Sequence, residues 1–205
     1  MRFGGKSGRP AAVGVALALA MAIGGPAYGL EENAKEREVL KECEKRICSM
    51  VVKKEATGAD LTCALTKTWA KDDIKEGIEQ KKISWSLGDA RCALDLAVPR
   101  ADIVNAVAKP AHTLDFPKHT IKCEVERDKE ITPVKITLKP KIEFKDGKAV
   151  KAYLGLGEVE APAVLKGAIW TVAKIEDTVG LFHGEIIGEV NKFVGAKCPK
   201  VLAGG

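Results

Sequence analysis

The chain reads as an α+β protein: an antiparallel sheet packed against a long C-terminal amphipathic helix, with an N-terminal helix and one or two short inserted helices. Three observations lead there. From Pro162 to Cys198 the apolar residues recur at helical spacing. Val164, Leu165, Ile169, Val172, Val179, Ile186, Ile187, Val190 and Val194 fall on one broad face, with Lys166, Lys174, Asp177, Glu185 and Lys192 mostly opposite. Several shorter stretches alternate apolar and polar residues with period two, the mark of strands with one buried face. These strands are grouped instead of alternating with helices, which separates α+β from α/β.

The first residues determine where the protein is expected to work. Arg2, Lys6 and Arg9 precede an uncharged run from Pro10 to Gly29 that ends in the small-residue stretch Ala27-Tyr28-Gly29. A basic start, a short apolar centre and a small-residue end describe a secretory signal peptide. The apolar centre is shorter than the ~20 residues that a membrane span needs. Residues 1–29 are therefore expected to be the signal and 30–205 a single α+β domain, exported to a bacterial periplasm or secreted, with no transmembrane segment after cleavage. The signal holds three of the 33 Lys+Arg and none of the 28 Asp+Glu, which leaves 30 against 28 and a net charge of +2. No basic block with interleaved aromatics remains, so nucleic acid is not an expected partner.

All six cysteines, Cys43, Cys48, Cys63, Cys92, Cys123 and Cys198, follow the signal. An even count in an exported chain points to disulfides, and six cysteines permit 15 pairings. Cys43 and Cys48 on one helix are separated by a rise of about 7.5 Å. That exceeds the ~7 Å reach of a disulfide, so each is expected to bond elsewhere.

Along the mature chain, the acidic start at Glu31 and Glu32 and the spacing of Val39, Leu40, Ile47, Met50 and Val51 suit a helix over 31–54. Leu61, Cys63 and Leu65 alternate as a strand. Asp72-Asp73 open a short helix over 72–81. Ile83 to Leu87 and Cys92 to Val98 alternate about Gly88-Asp89 and read as a hairpin. Pro99 starts a short helix that Pro110 stops. Strand patterns follow at 112–116 and 119–127. In 131–159 a hairpin turns at Asp146-Gly147. Matching apolar faces across it favours a three-residue loop that puts Ile142 opposite Val150 and Leu138 opposite Leu154. Pro133 and Pro140 place the first of these strands at an edge or interrupt it.

Chemistry-bearing patterns are sparse. His119 and Cys123 have the i, i+4 spacing of a metal pair, but on a strand they stand ~13 Å apart, so no metal site is expected, and His112 and His119 are read as surface residues near strand ends. No nucleophile motif or phosphate-binding loop is present, no cofactor is expected, and the chain is read as non-enzymatic. The distinctive feature is the C-terminal stripe itself. Glu176 and His183 fall inside its apolar face, and Gly180, Gly184 and Gly188 form a ladder of small residues beside it, as though something packs close. A helix break near Gly180 is the competing reading. Glu176, Val179, Gly180, His183 and Gly184 are the candidate ligand-binding residues. Two expectations follow: an apolar or lipid-like ligand held between the sheet and the C-terminal helix, or a closed core with an envelope protein as partner.

Overall fold

The computed structural model describes residues 29–79, 85–128, 130–167, 169–171 and 183–204. The fold is α+β, and its strands form two antiparallel sheets. The larger has the order β1 (Leu61–Trp69), β2 (Ala90–Val98), β4 (His119–Arg127), β5 (Glu130–Leu138) and β8 (Leu156–Glu160). The smaller has the order β3 (Ala111–Asp115), β6 (Lys141–Lys145) and β7 (Lys148–Tyr153). The helices are α1 (Ala34–Lys53), α2 (Lys71–Glu79), α3 (Arg100–Ala108), α4 (His183–Lys192) and α5 (Cys198–Ala203). A π-helical turn, Phe193–Lys197, joins the last two. Residues 163–167 and 169–171 are also helical.

Local chemistry accounts for the helix ends. Asn33 caps α1: its Oδ1 accepts from the Glu36 amide at 2.9 Å, while its Nδ2 donates to the Glu36 carboxylate at 3.2 Å. This resembles a capping box whose return bond comes from the Asn33 side chain and not its backbone N–H, and it satisfies a donor that a helix start leaves free. Lys54 closes the helix in the left-handed region at φ 55°. Pro99 has no side-chain donor or acceptor, and Asp60 substitutes for it by accepting from the Arg100 amide at 2.9 Å. The π-helical turn has a cause as well. Pro199 has no N–H, and its ring would strike a carbonyl one turn back in an α-helix. Widening the preceding turn lets the Cys198 amide reach Phe193 O instead.

All six cysteines are bonded: Cys43–Cys63, Cys48–Cys198 and Cys92–Cys123. As expected, Cys43 and Cys48 do not bond to each other. Helix α1 runs antiparallel along β1, the edge of the larger sheet. Glu36 meets Thr68, Cys43 bonds Cys63, and Arg46 donates to Thr62 O at 2.6 Å and Asp60 O at 3.4 Å. The arginine thus satisfies carbonyls at an edge that would otherwise be free to pair with another chain.

Several expectations need correction. Trp85 to Leu87 is not a strand, because both sides of β2 are taken by β1 and β4. The Trp85 indole N–H instead donates to Gly88 O at 2.9 Å. Strands within 131–159 divide between the two sheets, with the break at Pro140. The hairpin does turn at Asp146-Gly147, but with two residues at φ 49° and 74°, the type I′ geometry that suits strand twist. Phe144 therefore faces Ala149. A bulge leaves Val150 without a partner and 43% exposed, so Ile142 faces Ala152 rather than Val150. Leu138 pairs with Leu156 in the larger sheet rather than with Leu154. Val164, assigned to the buried stripe, is 77% exposed.

Chain crossings between the sheets lie side by side. The Lys139 amide donates to Gly155 O at 2.9 Å, and Gly155 has φ 59°. A Cβ there would overlap Lys139 O, whereas one at Gly147 would come 3.1 Å from Val107 O. Gly155→Ala should therefore cost about 2 kcal/mol or more, and Gly147→Val about 1 kcal/mol or more, in urea unfolding with disulfides intact. Unchanged midpoints for both variants would contradict these backbone conformations.

Candidate functional site

Register sorts the larger sheet into two unlike faces. On the inner face one row crosses all five strands: Leu65, Leu94, Ile121, Ile136 and Val159. Beside it runs Lys67, Cys92, Cys123 and Val134. The outer face carries Thr62, Ala64, Ala93, Asp95, Thr120, Lys122, Glu124 and Lys135, all exposed. Such a division is usual for an antiparallel sheet with one solvated side.

Two apolar clusters cover the inner face. The first gathers Cys48, Met50, Leu61, Val98, Ile103, Val104, Leu114 and Phe144 from α1, both sheets and α3. Ile187, Val190, Phe193, Val194, Val201 and Leu202 of the C-terminal helix pack against it. The second gathers Ala90, Cys123, Val125 and Val134, with Ile74, Trp85, Leu87, Leu165 and Ile169 against it. Leu94, Leu138 and Leu156 are only half-buried and belong to neither cluster. The C-terminal stripe is thus apolar-side inward only in part: Leu165, Ile169, Ile187, Val190 and Val194 pack on the clusters, while Val164 does not. From α4 onward, however, it packs on β7 and α1 rather than across the larger sheet.

Of the candidate ligand-binding residues, Glu176, Val179 and Gly180 lie outside the described residues. His183, half-buried, is the first residue of α4, and Gly184 beside it is exposed. The glycine ladder does not mark close packing at Gly184 or Gly188: no described atom lies within 4 Å of where a Cβ would be at either position.

Three polar side chains do structural work that the pattern did not reveal. Asn191 lies on the buried side of α4. Its Oδ1 accepts from the Ala149 amide at 2.8 Å and its Nδ2 donates to Ala149 O at 3.0 Å. It thereby acts as one residue of a neighbouring strand for the β7 edge. A polar residue four after Ile187, inside the stripe, was the available signal. His119 is buried, 8% exposed, rather than on the surface. Beyond Leu94 the β2–β4 ladder ends, and His119 Nε2 accepts the Ala97 amide at 3.1 Å in its place. Glu36 is buried against Thr68 and Arg91, at 3.0 and 3.5 Å, and its Oε2 has no hydrogen-bond partner.

Several surface cavities are lined mostly by charge. One of about 550 Å³ on the outer face has Asp95, Lys122, Lys135, Glu158 and Glu160 in its walls. There the Glu160 carboxylate, hydrogen-bonded to Lys135, holds that ammonium above its ordinary pKa. Glu32 is held below the usual carboxylate value by its hydrogen bond from Lys67. Among the described residues no group of three or more His, Cys, Asp or Glu is placed to hold a metal. No cysteine is free to act as a nucleophile.

Asn191→Leu should cost about 1–3 kcal/mol in thermal or urea unfolding, because it strands both polar groups of Ala149. Gly188→Ala should instead stabilise by about 0.5–1 kcal/mol, since the methyl group meets open space. A destabilised Gly188→Ala would mean that this side of α4 is occupied. No protein-family model, no curated protein and no solved structure matches the chain.

Proposed function

We propose that the protein is exported and non-enzymatic, and that it carries an apolar, lipid-like ligand against the inner face of the larger sheet, beside the C-terminal helix. The supporting observation is the interval between the two apolar clusters. Leu94, Leu138 and Leu156 lie there half-buried, like Leu65, Ile121 and Ile136 of the same face, and pack against neither cluster. Removing such side chains from water is worth about 25 cal/mol per Å², which a hydrocarbon ligand would supply. Residues 172–182, with Glu176, Val179 and Gly180, join the helical residues at the second cluster to α4 at the first. Glu176 and His183 are the polar groups that the helical pattern assigns to the apolar side, suited to a ligand with one polar end. Three disulfides fit an oxidising compartment. No described helix is long and apolar enough to cross a membrane.

A second reading, an envelope protein with a closed core that binds a protein partner, is favoured by one observation. The end of the C-terminal helix is bonded to α1 through Cys48–Cys198, with both residues 0% exposed, and α4 is tied to β7 through Asn191. A helix fastened at both places is not a freely opening lid.

Protein purified without detergent from the exporting cell should begin near Leu30, show no free thiol when denatured, and release an apolar species on solvent extraction, read by mass spectrometry. Leu138→Trp, which fills the interval, should lower that yield severalfold while leaving the melting temperature within a few degrees. Parent protein that is empty of apolar species but copurifies with a stoichiometric protein would replace the carrier reading with the second. Free thiols in that preparation would refute export to an oxidising compartment.

A further inference from the structure

We propose that this chain is a client of a thiol–disulfide isomerase, which it needs in order to place Cys48 with Cys198. The inference is independent of the ligand reading and rests on the order of the pairs. Cys43–Cys63 and Cys48–Cys198 interleave along the chain, with separations of 20 and 150 residues. Cys48 and Cys63 are closer, 15 residues apart. Closure probability falls roughly as the 3/2 power of loop length. In the unfolded chain Cys63 therefore meets Cys48 about 1.5 times as often as it meets Cys43, and Cys48 meets Cys63 about thirty times as often as Cys198. Once α1 forms, Cys43 and Cys48 are too far apart to bond to each other, which leaves Cys63 as the nearest trap for either. Oxidation once α1 has formed but before the other elements pack thus favours Cys48–Cys63, and Cys198 is left to bond Cys43.

Rearrangement requires three exchanges and no net redox change. The isomerase thiolate attacks Cys63 Sγ, forms a mixed disulfide and releases Cys48 as thiolate. Cys48 then attacks Cys198 Sγ in the Cys43–Cys198 bond and releases Cys43. Cys43 attacks Cys63 Sγ in the mixed disulfide, forms Cys43–Cys63 and returns the isomerase thiolate. The exchanges must precede final packing, because Cys48 and Cys198 are fully buried afterwards. Cys92–Cys123 does not interleave with the other two pairs and joins directly facing residues of β2 and β4, so it needs no such help.

The test is oxidation of the reduced full chain, after dilution from denaturant into a buffer in which α1 is helical, with a thiol-free oxidant, with a glutathione redox buffer, and with that buffer plus a disulfide isomerase. Alkylation and peptide mapping read the pairs. Thiol-free oxidation should leave Cys48 mainly on Cys63. Glutathione should raise the Cys48–Cys198 yield about tenfold, within the ~30-fold closure bias, and the isomerase should reach that yield faster. A chain lacking the interleaved pair, Cys48→Ser with Cys198→Ser, should form Cys43–Cys63 equally in all three conditions, which mapping reads whether or not it packs. A parent that forms Cys48–Cys198 fully without thiol, a double variant as thiol-dependent as the parent, or an isomerase that adds no rate would each overturn the proposal.

Discussion

The rest of the structure depends on α1 being anchored on two sides. Cys43 and Cys48 are five residues apart on this helix, which at 100° per residue sends their side chains about 140° apart around its axis. One helix can therefore bond to β1 on one side and to α5 on another. Loop-entropy estimates give about 3 kcal/mol for a 20-residue loop and about 5 kcal/mol for a 150-residue loop, taken singly. The longer bridge thus has the greater constraint to offer, and it joins elements from opposite ends of the described chain. Lys197 pairs with Glu44 at 2.6 Å beside it, but that pair is partly in water and adds little.

Edge protection follows from the same arrangement. An antiparallel sheet leaves two open edges, each a template for unwanted pairing. At β1 the covering is α1, with Arg46 on the carbonyls and Glu36, Thr68 and Arg91 closing the far end. At β7 it is α4, with the Asn191 amide on Ala149. In both places a helical side chain supplies what a further strand would otherwise supply. That explains why so short a sheet as β3-β6-β7 can stand at the side of the molecule.

Helices were legible in the sequence because their signals are local. The acidic start at Glu31 and Glu32, Pro99 with Pro110, and Asp72-Asp73 each mark an end without reference to distant residues. The place of the turn at Asp146-Gly147 was equally local, but its two-residue type I′ form was not, because parity matching favoured a three-residue loop. Register was not, because one bulged residue, Val150, reverses which neighbours face the core. Matching apolar parities assumes that no residue is skipped. Division into two sheets was illegible for a similar reason: both sheets have period two, and only the crossings at Lys139 and Gly155 separate them. The candidate site was legible only as an apolar stripe. Its glycines at 184 and 188 suggested close packing that is not there among the described residues, and Asn191, though a polar residue inside the stripe, gave no sign of which backbone it would meet.

A division of labour between the two ends of the chain emerges from these contacts. The N-terminal helix closes an edge and shares the first cluster, whereas residues 163–167 and 169–171 bear on the second and 183–203 on the first. The Leu65–Leu94–Ile121–Ile136–Val159 row is continuous across both, so nothing in the sheet itself divides the core. The division comes from what lies over it. Among the described residues the two covers differ in anchoring: α5 is bonded to α1 through Cys48–Cys198 over the first cluster, whereas no disulfide reaches α2 or the helical residues 163–167 and 169–171 over the second.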